Sequence, residues 1–232
     1  MNHPGDTLRA VILDLDGTLV DTADDFVPVV QTLRAENALP PLPAAAIRNT
    51  VSNGARALVT LALDLREGND HFEYWLDRLL TLYAGILGTH SRLFPGVQAL
   101  LDALGDAGIA WGIATNKPSR FTLPLLQRLA LHPAPASVVC ADQVSRGKPD
   151  PECLLRNSQE LGCSPAQAIY IGDHLRDIEA GRSAGMYTIA ATYGYIADSD
   201  KPDLWGADAR ADSGHDLAPR VFNMSTQQPA TA

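Results

Sequence analysis

Val11-Ile12-Leu13-Asp14-Leu15-Asp16-Gly17-Thr18 opens as an apolar run and ends in two carboxylates, a glycine and a hydroxyl residue. Such a run predicts a buried strand cut off by a turn. Side chains two apart on an extended chain point to the same side, so Asp14 and Asp16 can converge. Gly17 lets the backbone turn closely around whatever they hold. Convergent carboxylates can bind a hard cation, or one can attack as a nucleophile while the other moves protons. An Asx-rich turn that merely ends the strand would carry the same residues, and the choice falls to the remainder of the chain.

Downstream, Phe26, Val29, Val30 and Leu33 recur at helical spacing, with Thr22 as the expected N-cap and Asp24 and Asp25 in the first turn. Pro28 predicts a kink or a later start. Pro40-Pro41-Leu42-Pro43 breaks the chain, after which residues 44–48, 55–65 and 72–87 read as helices. No alternating strand pattern occurs between Ala23 and His90. Beyond Phe94-Pro95-Gly96 the character changes: a helix containing Val97 to Leu104 and closed by Gly108, then strand 109–114, helix 120–131, strand 137–141, helix 152–161, strand 168–171, helix 178–184 and strand 188–192. That alternation predicts a parallel sheet with right-handed crossovers and helices on both faces, interrupted after its first strand by a helical block. From Lys201 onward the pattern is less regular.

The 232 residues are 46% hydrophobic and 19% charged, enough for a substantial core, with a formal net charge of -9. This balance, with a pI near 5.0, argues against a nucleic-acid or membrane partner, because either surface would require clustered Lys and Arg. A small molecule is the expected partner, and an anionic one would need a locally positive site made by a metal ion or a few basic residues. Cys140, Cys153 and Cys163 lie apart without metal-type spacing and read as reduced packing residues. Residues 1–9 hold no apolar core for a signal peptide and no stretch approaches membrane-spanning length, so the expected location is the cytoplasm.

Ligands of an open parallel sheet bind outside the carboxyl ends of its strands. There the first strand places Asp14 and Asp16, the second Thr115-Asn116-Lys117, the third region Lys148-Pro149-Asp150, and the fourth Gly172-Asp173 with Asp177 following. Singly, each has an ordinary reading: Thr115 starts a turn, Lys148 is a solvated charge, Asp173 and Asp177 cap a helix. As an ordered set, Asp14-Leu15-Asp16-Gly17-Thr18, Thr115, Lys148 and Gly172-Asp173 with Asp177 resemble the four motifs of the haloacid dehalogenase-like hydrolase superfamily, over nearly the whole chain from Ala10 to about Asp212.

The resemblance implies an α/β fold, a Rossmann-like doubly wound parallel sheet with an inserted small α-helical cap domain. Residues 1–21 and 93–224 would form the catalytic core, 22–92 the cap and 225–232 a disordered tail. It implies that Asp14 is a nucleophile forming an aspartyl-phosphate, that Asp16 protonates the leaving oxygen and later activates water, and that Mg²⁺ is held by the Asp14 and Asp173 side chains and the Asp16 backbone carbonyl. Asp177 is expected beside them, orienting Lys148 or a water on the metal. Physical logic agrees: a carboxylate attacking a phosphate dianion meets like charge, so a divalent cation and positive donors are required. Lys148 and the Thr115 hydroxyl can supply the donors. Dehalogenase members need neither a leaving-oxygen acid nor a metal, so the presence of Asp16 and Asp173 favours phosphoryl chemistry. His174, where many relatives carry a small polar or acidic residue, reads either as a perturbation of the metal's surroundings or as a neighbour pointing to solvent.

The cap of such enzymes closes over the site and excludes water. Within it, Ser52-Asn53-Gly54-Ala55-Arg56 is a turn opening a helix, where Asn53, Gly54 and Arg56 can meet substrate. This stretch, Thr115-Asn116-Lys117-Pro118-Ser119-Arg120-Phe121, the residues from Gly172 to Glu179, Tyr193-Gly194-Tyr195-Ile196 and Trp205-Gly206-Ala207-Asp208 are similar to the group of N-acetylmuramic acid 6-phosphate phosphatases of cell-wall recycling, often labelled phosphoglycolate phosphatase. The resemblance implies a phosphate-ester substrate contacted by Asn116, Lys117, Arg56 and Arg120, and a monomer or weak dimer is expected. Phosphoglycolate hydrolysis, phosphosugar mutation and a non-catalytic phospho-accepting module are the alternatives; the last would not require Asp16 or a helical cap.

Overall fold

The computed structural model describes residues 1–197 and 199–222; the tail expected over 225–232 lies outside the described residues. Four consecutive apolar residues make the central strand β1 (Ala10–Leu13), which is buried along its whole length. A tight turn leads to β2 (Val20–Asp21), paired antiparallel with β3 (Arg92–Leu93). Between those two short strands lie α1 (Ala23–Glu36), α2 (Ala44–Arg48), α3 (Gly54–Leu63) and α4 (Phe72–Ile86). The chain continues through α5 (Val97–Asp106), β4 (Ala110–Thr115), α6 (Ser119–Leu129), β5 (Ser137–Cys140), α7 (Glu152–Glu160), β6 (Ala168–Gly172), α8 (Leu175–Ala184), β7 (Tyr187–Ala191), β8 (Ala209–Ala211) and α9 (Leu217–Val221).

The main sheet runs β5-β4-β1-β6-β7-β8 with every neighbouring pair parallel. Leu13 stands opposite Ile113 on one side and Ile171 on the other. The chain builds outward from β1 in one direction through β4 and β5, then returns and builds in the other, which opens a crevice beyond the carboxyl end of β1. Alternation along β1 divides the core: Val11 and Leu13 join one apolar cluster, Ala10 and Ile12 another with Leu154 and Tyr170. The first cluster continues into the inserted helices through Ile47, Leu58, Phe72, Leu79 and Tyr83. Each such side chain contributes roughly 1.5–3 kcal/mol when fully buried. No helix among the described residues is long and apolar enough to cross a membrane.

The expected doubly wound sheet with an inserted helical block is therefore present, with local differences. β8 extends the sheet where the sequence reads as irregular, because three residues with Arg210 at the centre are too few to show a period. α1 starts at Ala23 in spite of Pro28, which sits exposed in the second turn and forfeits only the bond to the Asp24 carbonyl. Thr22 does not cap that helix: its hydroxyl donates instead to Asp16 Oδ1 at 2.6 Å. The Ala23 N–H is satisfied by the Tyr195 hydroxyl at 2.8 Å.

Candidate active site

Parallel pairing brings the ends of β1, β4 and β6 side by side, so that Asp14, Thr115 and Asp173 meet although about a hundred residues or more separate each from Asp14. Asp14 Oδ1 accepts from the Leu15 N–H at 2.7 Å and lies 2.8 Å from Lys148 Nζ. Its other oxygen has no hydrogen-bond partner among the described residues. Lys148 is buried, with its ammonium also 2.7 Å from Asp177 Oδ1 and 2.9 Å from the Tyr170 hydroxyl. Those three partners use all three of its protons, so donation to an incoming phosphoryl oxygen requires exchange of one of them. Burial pulls the Lys148 pKa down, but Asp14 and Asp177 outweigh it and hold the group above its ordinary value. The Thr115 hydroxyl accepts from the Lys117 N–H at 3.1 Å, leaving its own proton free to donate.

Asp14, Asp173 and Asp177 each offer an oxygen within 4.8 Å of the others. Asp177 is already engaged: Oδ1 takes Lys148 and Tyr170, and Oδ2 accepts from the His174 N–H at 3.0 Å. Asp173 accepts from the Thr18 hydroxyl at 3.2 Å, the Ser52 hydroxyl at 3.1 Å and the Tyr195 N–H at 2.9 Å. Two glycines make its cradle. Gly17 turns at φ +85°, and a Cβ there would lie 2.2 Å from the Asp173 carboxylate; a Cβ at Gly194 would lie 2.4 Å from Asp173 Cβ. Burial, reinforced by the charges of Asp14 and Asp177, pushes Asp173 up to about 8. Burial pushes Asp14 up to about 6 against the pull of Lys148. Carboxyls crowded this way, with one Asp14 oxygen unpartnered, fit a hard divalent cation.

This electrostatic deficit makes a prediction. Both carboxyls have folded pKa values raised above the ordinary 3.8. Their stabilising contribution is complete below that value and is lost as pH rises through about 6 for Asp14 and about 8 for Asp173. A cation that binds the ionised pair reverses the loss. The Tm gain on adding Mg²⁺ to chelator-treated protein is therefore expected to be larger at pH 8.5 than at pH 5.5, by on the order of 5 °C. Equal gains at both pH values in a thermal-shift titration would refute this account.

Asp16 receives Thr22 Oγ1 and, at 3.0 and 3.2 Å, Lys117 Nζ. Lys117 is 9% exposed and lies under two aromatic rings of the inserted helices, 5.4 Å from the Phe26 centroid and 4.8 Å from that of Tyr83. Above these groups opens a cavity of about 440 Å³ between the sheet ends and the helical block. Its lining is apolar at Phe26, Val51, Leu76, Leu80 and Phe121 and polar at the seam, where Asn53, Arg56, Asn116, Arg120 and Arg176 are found.

The residues expected to contact substrate all reach this cavity, but several are committed to protein partners. Asn116 spends its amide on the Lys148 backbone, accepting from its N–H at 2.9 Å and donating to its carbonyl at 3.0 Å. Lys117 holds Asp16, and Arg56 pairs with Glu73 at 2.9 Å. Gly54 opens α3 at the lining, and Asn53 Oδ1 accepts from Arg176 at 3.4 Å. Arg120 lies 4.8 Å from the Phe121 centroid. His174 does not point to solvent: its Nδ1 accepts from Arg176 N and Nε at 3.2 and 3.1 Å, and its ring stacks on Trp205.

Sequence reasoning missed Thr18, Ser52, Tyr170 and the Tyr195 backbone as supports of the carboxylates. Ser52 opens the turn read as a substrate contact, but nothing in its neighbours signals a bond to a residue 121 positions away. Tyr170 sits inside a strand, where an aromatic reads as core; it is fully buried, and its hydroxyl reaches Lys148 and Asp177.

Comparison with known proteins gives a consistent result. The profile of a haloacid dehalogenase-like hydrolase family matches residues 11–191. An N-acetylmuramic acid 6-phosphate phosphatase of Pseudomonas aeruginosa is 44% identical over 210 residues, covering 90% of this chain and 93% of that one. A phosphoglycolate phosphatase of Xanthomonas campestris is 38% identical, covering 86% and 90%. Among solved structures, a predicted phosphoglycolate phosphatase from Haemophilus somnus superposes with a TM-score of 0.80 at 26% identity, covering 91% of this chain and 96% of that one.

Proposed function

Since this chain belongs to the haloacid dehalogenase-like hydrolase family, we propose that it is a Mg²⁺-dependent phosphomonoesterase that hydrolyses N-acetylmuramic acid 6-phosphate to N-acetylmuramic acid and phosphate. The observation that carries the phosphatase reading is Asp14, with one oxygen held by Leu15 N–H and Lys148 and the other open beneath a substrate-sized cavity. Asp14 attacks phosphorus and becomes an aspartyl-phosphate. Asp16, oriented by Thr22 and Lys117, gives its proton to the leaving oxygen, and in the second step takes one from the water that releases phosphate. Thr115 donates to a phosphoryl oxygen, and Lys148 keeps Asp14 ionised and aimed, with Asp177 and Tyr170 fixing the ammonium.

Asp14 and Asp173, with the backbone of Asp16, would hold Mg²⁺, which supplies charge neutralisation between nucleophile and phosphate. The catalytic core over residues 1–21 and 93–224 and the cap over 22–92 belong to the same proposal, supported by α1 to α4 lying between β2 and β3. A cytoplasmic location is supported by free Cys140, Cys153 and Cys163. A monomer or weak dimer belongs to the same proposal, with the exposed apolar side chains Tyr74, Leu123, Leu155 and Leu204 each on a different segment of the chain.

Two observations support the sugar phosphate: the identity to the Pseudomonas aeruginosa enzyme over nearly both chains, and a cavity of about 440 Å³, within the range that takes ligands much larger than a two-carbon ester. Phosphoglycolate is the second reading, supported by the Xanthomonas campestris relative. Phosphate release from both esters, with Mg²⁺ and with chelator, tests them together. The expected result is release that chelator abolishes, with kcat/KM at least about tenfold higher for the sugar phosphate, a difference of roughly 1.4 kcal/mol. Preference for phosphoglycolate overturns the substrate and keeps the chemistry. Release unaffected by chelator overturns the metal.

A further inference from the structure

The charges lining the cavity do not balance. Its carboxylates are Asp14, Asp16 and Asp177, against the cations Arg56, Lys117, Arg120, Lys148 and Arg176. Lys148 is held by Asp14 and Asp177, Lys117 by Asp16, and Arg56 by Glu73 on α4. Arg120 and Arg176 are left with no ion pair among the described residues. Arg120 is exposed and lies on the Phe121 ring, so water can serve its charge. Arg176 is half-buried, and its contacts carry no negative charge: Nε donates to His174 Nδ1 at 3.1 Å, and one terminal nitrogen donates to Asn53 Oδ1 at 3.4 Å. The other terminal nitrogen has no hydrogen-bond partner among the described residues. A partly desolvated guanidinium costs free energy until an anion meets it. In a chain of net charge -9, acidic side chains are plentiful enough to have supplied one.

Arg176 is also held in place. The imidazole that accepts from its Nε stacks on Trp205. Asn53 lies between α2 and α3, so the guanidinium stands at the seam between the sheet ends and the inserted helices. The phosphoryl group is already provided for at the strand ends by Thr115 and Lys148, and the anion that would balance Arg176 is therefore a second one. Resting on the phosphatase reading, we propose that Arg176 pairs with a carboxylate of the leaving alcohol, so that the site selects phosphate esters of carboxylate-bearing alcohols. The lactyl ether of N-acetylmuramic acid carries such a carboxylate, and N-acetylglucosamine 6-phosphate is the same sugar phosphate without it. A guanidinium fixed through Nε and one terminal nitrogen still presents the N–H groups of the other to a carboxylate. A site that leaves its own charge unpaired when the wrong ligand binds discriminates against that ligand.

The test is Arg176→Gln, assayed on N-acetylmuramic acid 6-phosphate and N-acetylglucosamine 6-phosphate, with inorganic phosphate as a competitive inhibitor and Tm measured alongside. The ratio of kcat/KM for the muramic acid ester to that for the glucosamine ester is expected to fall at least about tenfold, carried by KM, with the inhibition constant of phosphate within about twofold of the wild type. An ester turned over too slowly to assay is read as an inhibitor, through the inverse of its inhibition constant. If Arg176 instead binds the phosphoryl group, the phosphate constant rises and both esters lose alike. If it only braces His174 and Asn53, both esters lose turnover, or Tm falls, with the ratio unchanged. Either result overturns the proposal, as does a ratio lost in Arg120→Gln and kept in Arg176→Gln. If wild-type protein hydrolyses 2-phosphoglycolate but not the muramic acid ester, the substrate assigned above fails, and the ratio is read from phosphoglycolate against ethyl phosphate. If wild-type protein hydrolyses none of these esters, the phosphatase reading fails and this inference falls with it.

Discussion

Asp14→Asn is expected to lower kcat by on the order of 10⁴-fold or more while leaving a folded protein. The amide keeps the oxygen that accepts from Leu15 N–H and Lys148, so the loop retains its hydrogen bonds. What is lost is the unpartnered carboxylate oxygen, and an amide nitrogen in its place cannot attack phosphorus. Burial already holds Asp14 up at about 6, so removing its charge relieves a cost at neutral pH. The Tm of Asp14→Asn in chelator should accordingly equal or exceed that of the wild type at pH 8. Steady-state phosphate release and thermal melts check both halves. Turnover within tenfold of the wild type would remove Asp14 from the nucleophile's role and leave the metal site as its only remaining function.

The second large effect is expected from Lys148→Met, in stability as well as rate. The Lys148 ammonium is the cation within 2.8 Å of both Asp14 and Asp177, and Asp173 shares the same cluster. Taking one partner from a buried ion pair typically costs about 3–5 kcal/mol, because the remaining charges stay buried without compensation. Here the loss should depend on pH in a defined sense. Without the ammonium, the folded pKa of Asp14 moves further up from about 6, so stability is retained at low pH, where Asp14 is protonated, and is lost as pH rises through that value. Urea unfolding should thus show a larger deficit at pH 8 than at pH 5. Phosphate release should fall about 10²- to 10³-fold, as when a preorganised charge is removed from a phosphoryl-transfer site. A deficit that is the same at both pH values would mean that the carboxylates, not Lys148, set the electrostatics of this cluster.

The candidate site was legible in proportion to how local its signals are. Asp14 and Asp16 advertise themselves at the end of an uninterrupted apolar strand, and Asp173 does the same after β6. Asp177 was readable as a helix cap and as a partner of Lys148, and it does both, accepting from His174 N–H while bound to the ammonium. Thr22 shows the limit. By sequence it is a sound N-cap, yet its side chain is turned toward Asp16, to which the hydroxyl donates, and it accepts from no helix N–H; the Ala23 N–H donates to the Tyr195 hydroxyl instead. Lys117 was readable as a substrate contact, but its ion pair with Asp16 and its place under Phe26 and Tyr83 depend on inserted helices whose orientation no local pattern encodes.

The sequence by itself determined the order of the main strands and helices, the helical insertion, and the set of candidate catalytic side chains at the strand ends. Those follow from hydrophobic period and from a few residue types that act within their own turn. Only the tertiary structure decided which partner each side chain takes. Ser52 reaches Asp173, Asn116 braces the Lys148 backbone, and His174 turns inward on Arg176 and Trp205. A hydrogen bond is settled by competition among all donors and acceptors that packing brings within about 3 Å. That competition involves residues far apart in the chain, so it exists only once the sheet and the helices above it have closed on one another.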